Sequence, residues 1–299
     1  MKRYRRRSAP ANDGITLTAH PGRVLGVLGH NGAGKTTLVN QIVGLLRPDS
    51  GTISLAGIDA IAQPARAREL VSVQAQANVP ITGLTPRAAI ELVGRIRGGG
   101  QREVRSRTAE LLDALDLGPW ADTPAEKVSG GVARLTAFCM TAVRPGALVI
   151  LDEPTNDVDP ARRRLLWNAI RATAAEGAAV LLVTHNVREA ERAVDELIVL
   201  DRGRTLASGT PAQLTAHLSD QLLLELDTPH LPQLPTGLAV ISSGGGRTTV
   251  AVPAARSAHA VEWAQQEQHQ GRIERFALTP PSLEDAYLEL VGSESEDAA

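Results

Sequence analysis

Short apolar runs alternate with stretches of helical spacing along the first two thirds of the chain. Residues 23–28, Arg-Val-Leu-Gly-Val-Leu, read as a buried strand. A glycine-rich loop follows over 29–34, and residues 35–46 carry one apolar face, which predicts a helix. The same order recurs, with strands over 147–151, 178–184 and 196–200 and helices over 161–175 and 187–194. Strands alternating with helices predict an α/β domain with a mostly parallel sheet. From about 78 to 145 the pattern is almost wholly helical. Residues 85–97 and 102–115 have helical spacing and are separated by Gly98-Gly99-Gly100. This predicts a helical insert subdomain. Gly203 marks a hairpin between 197–200 and 205–208.

After His217 the pattern changes. Strands are expected over 221–226, 238–242, 248–252 and 273–278, helices over 257–270 and 282–291, and a turn at Gly244-Gly245-Gly246. The expected organisation is a main α/β domain over 1–218, a small α+β domain over 219–292 and an acidic, frayed tail over 293–299. There is no internal repeat and no sustained heptad pattern.

Composition narrows the function class. The 299 residues are 43% hydrophobic and 21% charged, which supplies a core and excludes a disordered profile. Lys plus Arg is 31 against Asp plus Glu 33, so a wholly basic nucleic-acid binder is disfavoured. Cys139 is the single cysteine, which excludes an intramolecular disulfide and fits a reducing compartment. No run approaches the ~18 apolar residues of a membrane helix. The basic N-terminus, Lys2-Arg3-Tyr4-Arg5-Arg6-Arg7, lacks the apolar stretch of a secretory signal. A cytoplasmic chain is expected, and any membrane spans must come from another chain.

Two motifs carry chemistry. Gly29-His30-Asn31-Gly32-Ala33-Gly34-Lys35-Thr36 fits G-x-x-x-x-G-K-[ST], between a predicted strand and a predicted helix. Its glycines let the backbone amides nest around phosphate oxygens, and the helix N-terminus adds positive potential. Lys35 reaches the β- and γ-phosphates, and the hydroxyl of Thr36, with Thr37 beside it, offers an oxygen for Mg²⁺. Leu148-Val149-Ile150-Leu151-Asp152-Glu153-Pro154 is an apolar strand ending in two carboxylates. Asp152 can hold Mg²⁺ through water, and Glu153 is placed to polarise the attacking water.

With these motifs in this order, residues 1–215 resemble the ATP-binding subunit of ATP-binding cassette (ABC) transporters, a P-loop NTPase family. Ser129-Gly130-Gly131 matches the core of the family signature. The resemblance implies that it contacts the γ-phosphate of ATP held by a second subunit, as another helix N-terminus for an anion. Asn156-Asp157-Val158-Asp159-Pro160 resembles the D-loop, with Asp159 at the position that couples the two sites; it also reads as a turn and helix cap. His185 resembles the switch histidine near the γ-phosphate. Gln74 and Gln76 both follow the strand near 71–73, and Leu84-Thr85 selects Gln76 as the glutamine that links Mg²⁺ to the transporter interface. Tyr4 resembles the aromatic that stacks on adenine.

The chain also departs from the family pattern. The signature reads Val128-Ser129-Gly130-Gly131-Val132, where Leu and Gln are usual at the ends. The segment from there to Pro145 is about one residue short, and the usual basic run is reduced to Arg134. The strand that ordinarily precedes the aromatic residue is missing or lies upstream of the residue numbered 1.

The segment 279–290, Thr-Pro-Pro-Ser-Leu-Glu-Asp-Ala-Tyr-Leu-Glu-Leu, resembles the end of exporter ATPases of the daunorubicin-resistance type. Gly209-Thr210-Pro211 with Leu214 resembles their exit from the nucleotide domain. Leu283, Ala286, Tyr287 and Leu290 also fall on one helical face, so the segment reads equally as a docking helix.

The resemblance implies an ATPase using ATP and Mg²⁺. It implies a head-to-tail homodimer or heterodimer of ATPase subunits with two composite sites, working with a separate transmembrane permease at the inner face of the plasma membrane. No nucleic-acid partner is implied. Two alternatives stay open: a non-transport cassette ATPase, and a degenerate ATP-binding regulatory subunit, the latter motivated by Val132 and the short signature segment.

Overall fold

The computed structural model describes residues 1–4, 9–77 and 81–296. Arg5, Arg6 and Arg7 of the basic N-terminus and residues 78–80, where the helical insert is expected to begin, lie outside the described residues. The chain divides into two compact units, Met1–Thr210 and Pro211–Ala299.

The first unit runs β1 (Val24–Leu28), α1 (Lys35–Ile42), β2 (Ser54–Leu55), β3 (Ile58–Asp59), α2 (Pro64–Glu69), β4 (Val71–Gln74), α3 (Pro86–Ile96), α4 (Gln101–Ala114), α5 (Gly130–Ala142), β5 (Leu148–Asp152), α6 (Pro160–Ala175), β6 (Ala179–Thr184), α7 (Val187–Ala193), β7 (Glu196–Asp201) and β8 (Arg204–Gly209). The main sheet has the order β4-β5-β6-β1-β7-β8. Its first five strands are parallel, and β8 folds back antiparallel on β7. Every residue of β1, β5 and β6 is buried, which is why they read as unbroken apolar runs. Leu25, Val27, Ile42, Ile150, Leu181, Val183, Ile198 and Leu200 form the core on one side.

Register decides where chemistry can sit. Leu28 pairs with Thr184, and Asp152 pairs with Val183. The carboxyl ends of β1, β5 and β6 therefore lie side by side, the edge at which open α/β sheets bind ligands.

Three local features differ from the sequence reading. Helix α1 stops at Ile42 and not at 46, because Gly44 takes φ 72° and the Leu45 and Leu46 amides both turn back to the Asn40 carbonyl. The β2–β3 hairpin and α2 were not expected; they are two and six residues long, too short for a periodic signal. The third helix of the insert, α5, packs against α3 and also against β4, so it bridges insert and sheet.

The second unit contains α8 (Pro211–Thr215), β9 (Gln221–Asp227), β10 (Ala239–Gly244), β11 (Arg247–Pro253), α9 (Ser257–His269), β12 (Arg275–Thr279) and α10 (Leu283–Glu296). Its antiparallel sheet has the order β10-β11-β9-β12 and packs on α9 through Leu224, Leu226, Val250, Val252, Ala260 and Ala264. Ile273 belongs to this core but not to a strand, because its amide and that of Arg272 close the end of α9 on the Glu267 carbonyl. Helix α10 starts at a reciprocal cap, in which the Ser282 amide donates to Asp285 Oδ2 at 2.7 Å and the Asp285 amide donates to Ser282 Oγ at 3.4 Å. It continues to Glu296, into the stretch expected to be a frayed tail. Among the described residues no helix is long and apolar enough to cross a membrane.

Candidate functional site

The loop after β1 is built around two left-handed glycines, Gly32 at φ 95° and Gly34 at φ 104°. Gly34 is also fixed by space, since a Cβ there would lie 2.5 Å from the Ala11 carbonyl oxygen. Asn12 is buried and donates from Nδ2 to the Gly34 carbonyl at 3.1 Å. The Gly203 amide, from the β7–β8 hairpin, donates to the Ala33 carbonyl at 3.0 Å. The loop is thus braced by residues far away in sequence. His30 adds to this bracing: its Nε2 lies 2.5 Å from Asp201 Oδ1, and its Nδ1 lies 2.7 Å from the Asn31 carbonyl oxygen. The imidazole therefore faces Asp201, and the loop backbone is what His30 offers to a ligand. Asn31 and Thr36 are exposed at the loop.

Lys35 opens α1 and is 9% exposed. Its ammonium donates to the Gly29 carbonyl at 2.5 Å and to the His30 carbonyl at 3.2 Å. Burial lowers its pKa, while Glu153 and Asp152 act in the opposite direction. Tyr4 is half-exposed, with its hydroxyl 3.4 Å from Thr37 Oγ1, so the ring lies beside the helix that carries the loop.

Asp152 and Glu153 are both buried at the end of β5. Burial pushes the Asp152 pKa up, Glu153 adds to this, and Lys35 and Arg134 oppose it. Glu153 takes a left-handed backbone, φ 50°, and its amide donates to the Val183 carbonyl at 2.8 Å. Its carboxylate is clasped from the end of β6. The Thr184 hydroxyl donates to Oε2 at 2.9 Å, the His185 amide donates to Oε1 at 2.9 Å, and His185 Nδ1 lies 2.6 Å from Oε1. Glu153 and His185 are therefore in direct contact.

Ser129 caps α5, its Oγ accepting from the Val132 amide at 3.3 Å. Gly131 meets the segment after β5 closely, and a Cβ there would lie 2.6 Å from the Asp157 carbonyl oxygen. Gly130 faces the Asp157 side chain. Val132 is buried, which accounts for an apolar residue at that place. Asp159 caps α6, with Oδ1 accepting from the Ala161 and Arg162 amides at 3.1 and 3.0 Å and Oδ2 paired with Arg162. The Arg162 amide and guanidinium bonds draw its pKa down. Asp159 is thus a working helix cap.

The two glutamines after β4 are sharply different. Gln74 is 2% exposed and donates from Nε2 to the Arg134 carbonyl at 3.0 Å, whereas Gln76 is exposed.

Thr184, Asn12 and Asp201 do not stand out in the sequence, and Arg134 stands out there only as the remnant of a basic run. Thr184 had one usable signal, a hydroxyl at a strand end directly before His185. Asn12 and Asp201 had none, because their partners are 22 and 171 residues away. Cys139 is buried and its thiol is pushed up to about 12, which keeps it protonated and out of the chemistry.

The donor set fits a magnesium nucleotide. No cluster of three or more His, Cys, Asp or Glu side chains that could hold a metal occurs among the described residues. A hydroxyl and one or two oxygens from the protein suit a cation that takes its remaining ligands from phosphate and water. The glycine-built nest at a helix N-terminus suits the phosphates.

Comparison with known proteins identifies the family. The family model described as ABC transporter matches residues 12–156. Nod factor export ATP-binding protein I of Ralstonia nicotianae is 34% identical over 291 residues, covering 95% of this chain and 90% of that protein. Daunorubicin resistance ATP-binding protein DrrA2 of Streptomyces coeruleorubidus is 33% identical over 306 residues, covering 99% and 94%. A solved structure, the ATP-binding subunit of an ABC transporter, superposes with a TM-score of 0.64 at 28% identity, over 72% of this chain and 89% of that one. Relatives that match this chain across 90% or more of their own length place it in their family: it is an ATP-binding, ATP-hydrolysing subunit of the ABC transporters.

Proposed function

We propose that this chain drives export by a separate transmembrane permease, closing with a second ATPase subunit over two ATP molecules and opening after hydrolysis. The observation that carries this reading is the pairing of a braced phosphate loop with a clasped Glu153 carboxylate at one sheet edge. The loop amides, Lys35, Thr36 and Thr37 hold the phosphates, and Tyr4 lies against adenine. Thr36, Asp152 and Gln76 hold Mg²⁺. When bound, Mg²⁺ neutralises charge developing on the β- and γ-phosphate oxygens. Lys35 exchanges its carbonyl partners for phosphate oxygens. Glu153 orients and polarises the attacking water, and His185 with Thr184 keeps its carboxylate aimed. The exposure of Gln76, against the burial of Gln74, supports Gln76 as the residue that senses the metal and the permease.

Ser129, Gly130 and Gly131 complete the site of the second subunit, homodimeric or heterodimeric, and the Asp157–Asp159 segment, which touches Gly131, couples the two sites. The names of the two relatives, Nod factor export and daunorubicin resistance, support a role in export. A chain that works through a permease in this way acts, in this reading, at the cytoplasmic face of the membrane.

Lys35→Ala tests the phosphate loop directly. A charge-assisted hydrogen bond contributes ~1.5–3 kcal/mol, so Mg-ATP affinity should fall about 10- to 100-fold in a titration. Unchanged affinity would remove Lys35 from the site.

A further inference from the structure

Arg134 is the most deeply buried charged side chain near the site, at 1% exposure. It lies five residues after Ser129 on α5, about 7.5 Å along the axis at 1.5 Å per residue. Its guanidinium holds carbonyl oxygens on two other segments. Nη1 donates to Ala75 at 2.7 Å and to Gln76 at 2.9 Å, the loop that leaves β4. Nη2 donates to Glu153 at 2.6 Å and also to Asp152, the end of β5. The contact is returned from β4, because Gln74 Nε2 donates to the Arg134 carbonyl.

We propose that Arg134 is a positioning residue for ATP hydrolysis, fixing the Glu153 backbone and the Gln76 loop to the helix that begins at the Ser129 signature. The proposal rests on the roles given above to Glu153 and Gln76 and extends them. Glu153 holds a left-handed backbone, which a non-glycine residue keeps only when its surroundings over-determine it. Arg134 holds the carbonyl at that residue, while Thr184 and His185 hold its side chain. The same guanidinium grips the carbonyl of Gln76, so the two loops cannot shift independently. A planar fork with several fixed donors can span both loops, and a lysine ammonium cannot. A displacement of α5, whose first turn contacts Asp157, is therefore carried to the attacking-water carboxylate and to the metal-side glutamine together.

The experiment compares Arg134→Met, Arg134→Lys, Glu153→Gln and the double variant Arg134→Met/Glu153→Gln in the full chain. Mg-ATP affinity, single-turnover hydrolysis and thermal unfolding are followed. A small misplacement at a reacting centre reduces rate about 100-fold, so Arg134→Met should lose about that factor in kcat while binding Mg-ATP as the wild type does. Arg134→Lys should fall between the two. In the Glu153→Gln background, adding Arg134→Met should lower the residual single-turnover rate by much less than about 100-fold, since most of its effect runs through Glu153. Wild-type kcat in Arg134→Met overturns the proposal, and so do fully additive losses in the double variant. If Arg134→Met does not fold, wild-type kcat in Arg134→Lys overturns it as well. Retained hydrolysis in Glu153→Gln alone would instead remove the assignment of Glu153, so the two failures are told apart.

Discussion

The Thr184 hydroxyl donates to Glu153 Oε2 at 2.9 Å, so the carboxylate at the end of β5 is held from the end of β6. The parallel register that sets Asp152 against Val183 produces this contact. It follows that the geometry of the carboxylate proposed to activate water depends on a residue 31 positions away.

Thr184→Val keeps the side-chain shape and removes that donor. A hydrogen bond to a charged group contributes ~1.5–3 kcal/mol, so kcat should fall about 10- to 100-fold with Mg-ATP affinity unchanged. Steady-state kinetics beside a binding titration checks the split. A fall in affinity with kcat intact would contradict it.

Asp152 is expected to stabilise function at the expense of the nucleotide-free fold. Burial and the neighbouring Glu153 raise its pKa above the ordinary 3.8. The folded state then binds this proton more tightly than the unfolded state. Stability therefore falls as pH rises from 3.8 through the raised folded value, and the whole cost is present above it. Asp152→Asn removes the cost. At neutral pH its Tm should rise, by about 2–4 °C for each kcal/mol recovered, while Mg²⁺-dependent hydrolysis is lost. The difference in Tm should shrink as pH is lowered toward 4. A lower Tm at neutral pH would contradict the sign.

Gly131 is where the signature helix and the segment after β5 meet. Ala there would place its Cβ 2.6 Å from the Asp157 carbonyl oxygen, and overpacking of this kind costs about 1–3 kcal/mol. Gly131→Ala should fold with a reduced Tm, bind Mg-ATP normally and fail to form an ATP-dependent dimer. Size-exclusion chromatography with and without ATP reads this. Dimer formation as in the wild type would show that the Gly131–Asp157 approach is not needed for coupling.

Much of the fold could be read from the chain because its signals are local. The buried strands β1, β5 and β6 announced themselves as apolar runs, since helices cover both faces of a parallel sheet. Gly29 to Thr36, Asp152 and Glu153 are contiguous motifs and could be named as candidates without knowing the fold. The network behind them could not. Arg134 reaches carbonyls 58 to 59 residues before it and 18 to 19 after it, and no spacing rule links them. The His30–Asp201 contact joins residues 171 apart. The early stop of α1 was hidden because residues 43–46 keep an apolar character while Gly44 reverses the backbone. The β2–β3 hairpin turns on Ala56 and Gly57 at positive φ, a feature of backbone conformation rather than of hydrophobic pattern.

The most direct measurement is Mg-ATP hydrolysis by the full wild-type chain with Glu153→Gln beside it, followed by sizing of both with ATP. The wild type should turn over, and Glu153→Gln should bind ATP without turnover and form an ATP-trapped dimer. Hydrolysis at the wild-type rate by Glu153→Gln would contradict the central claim, that this clasped carboxylate activates the attacking water.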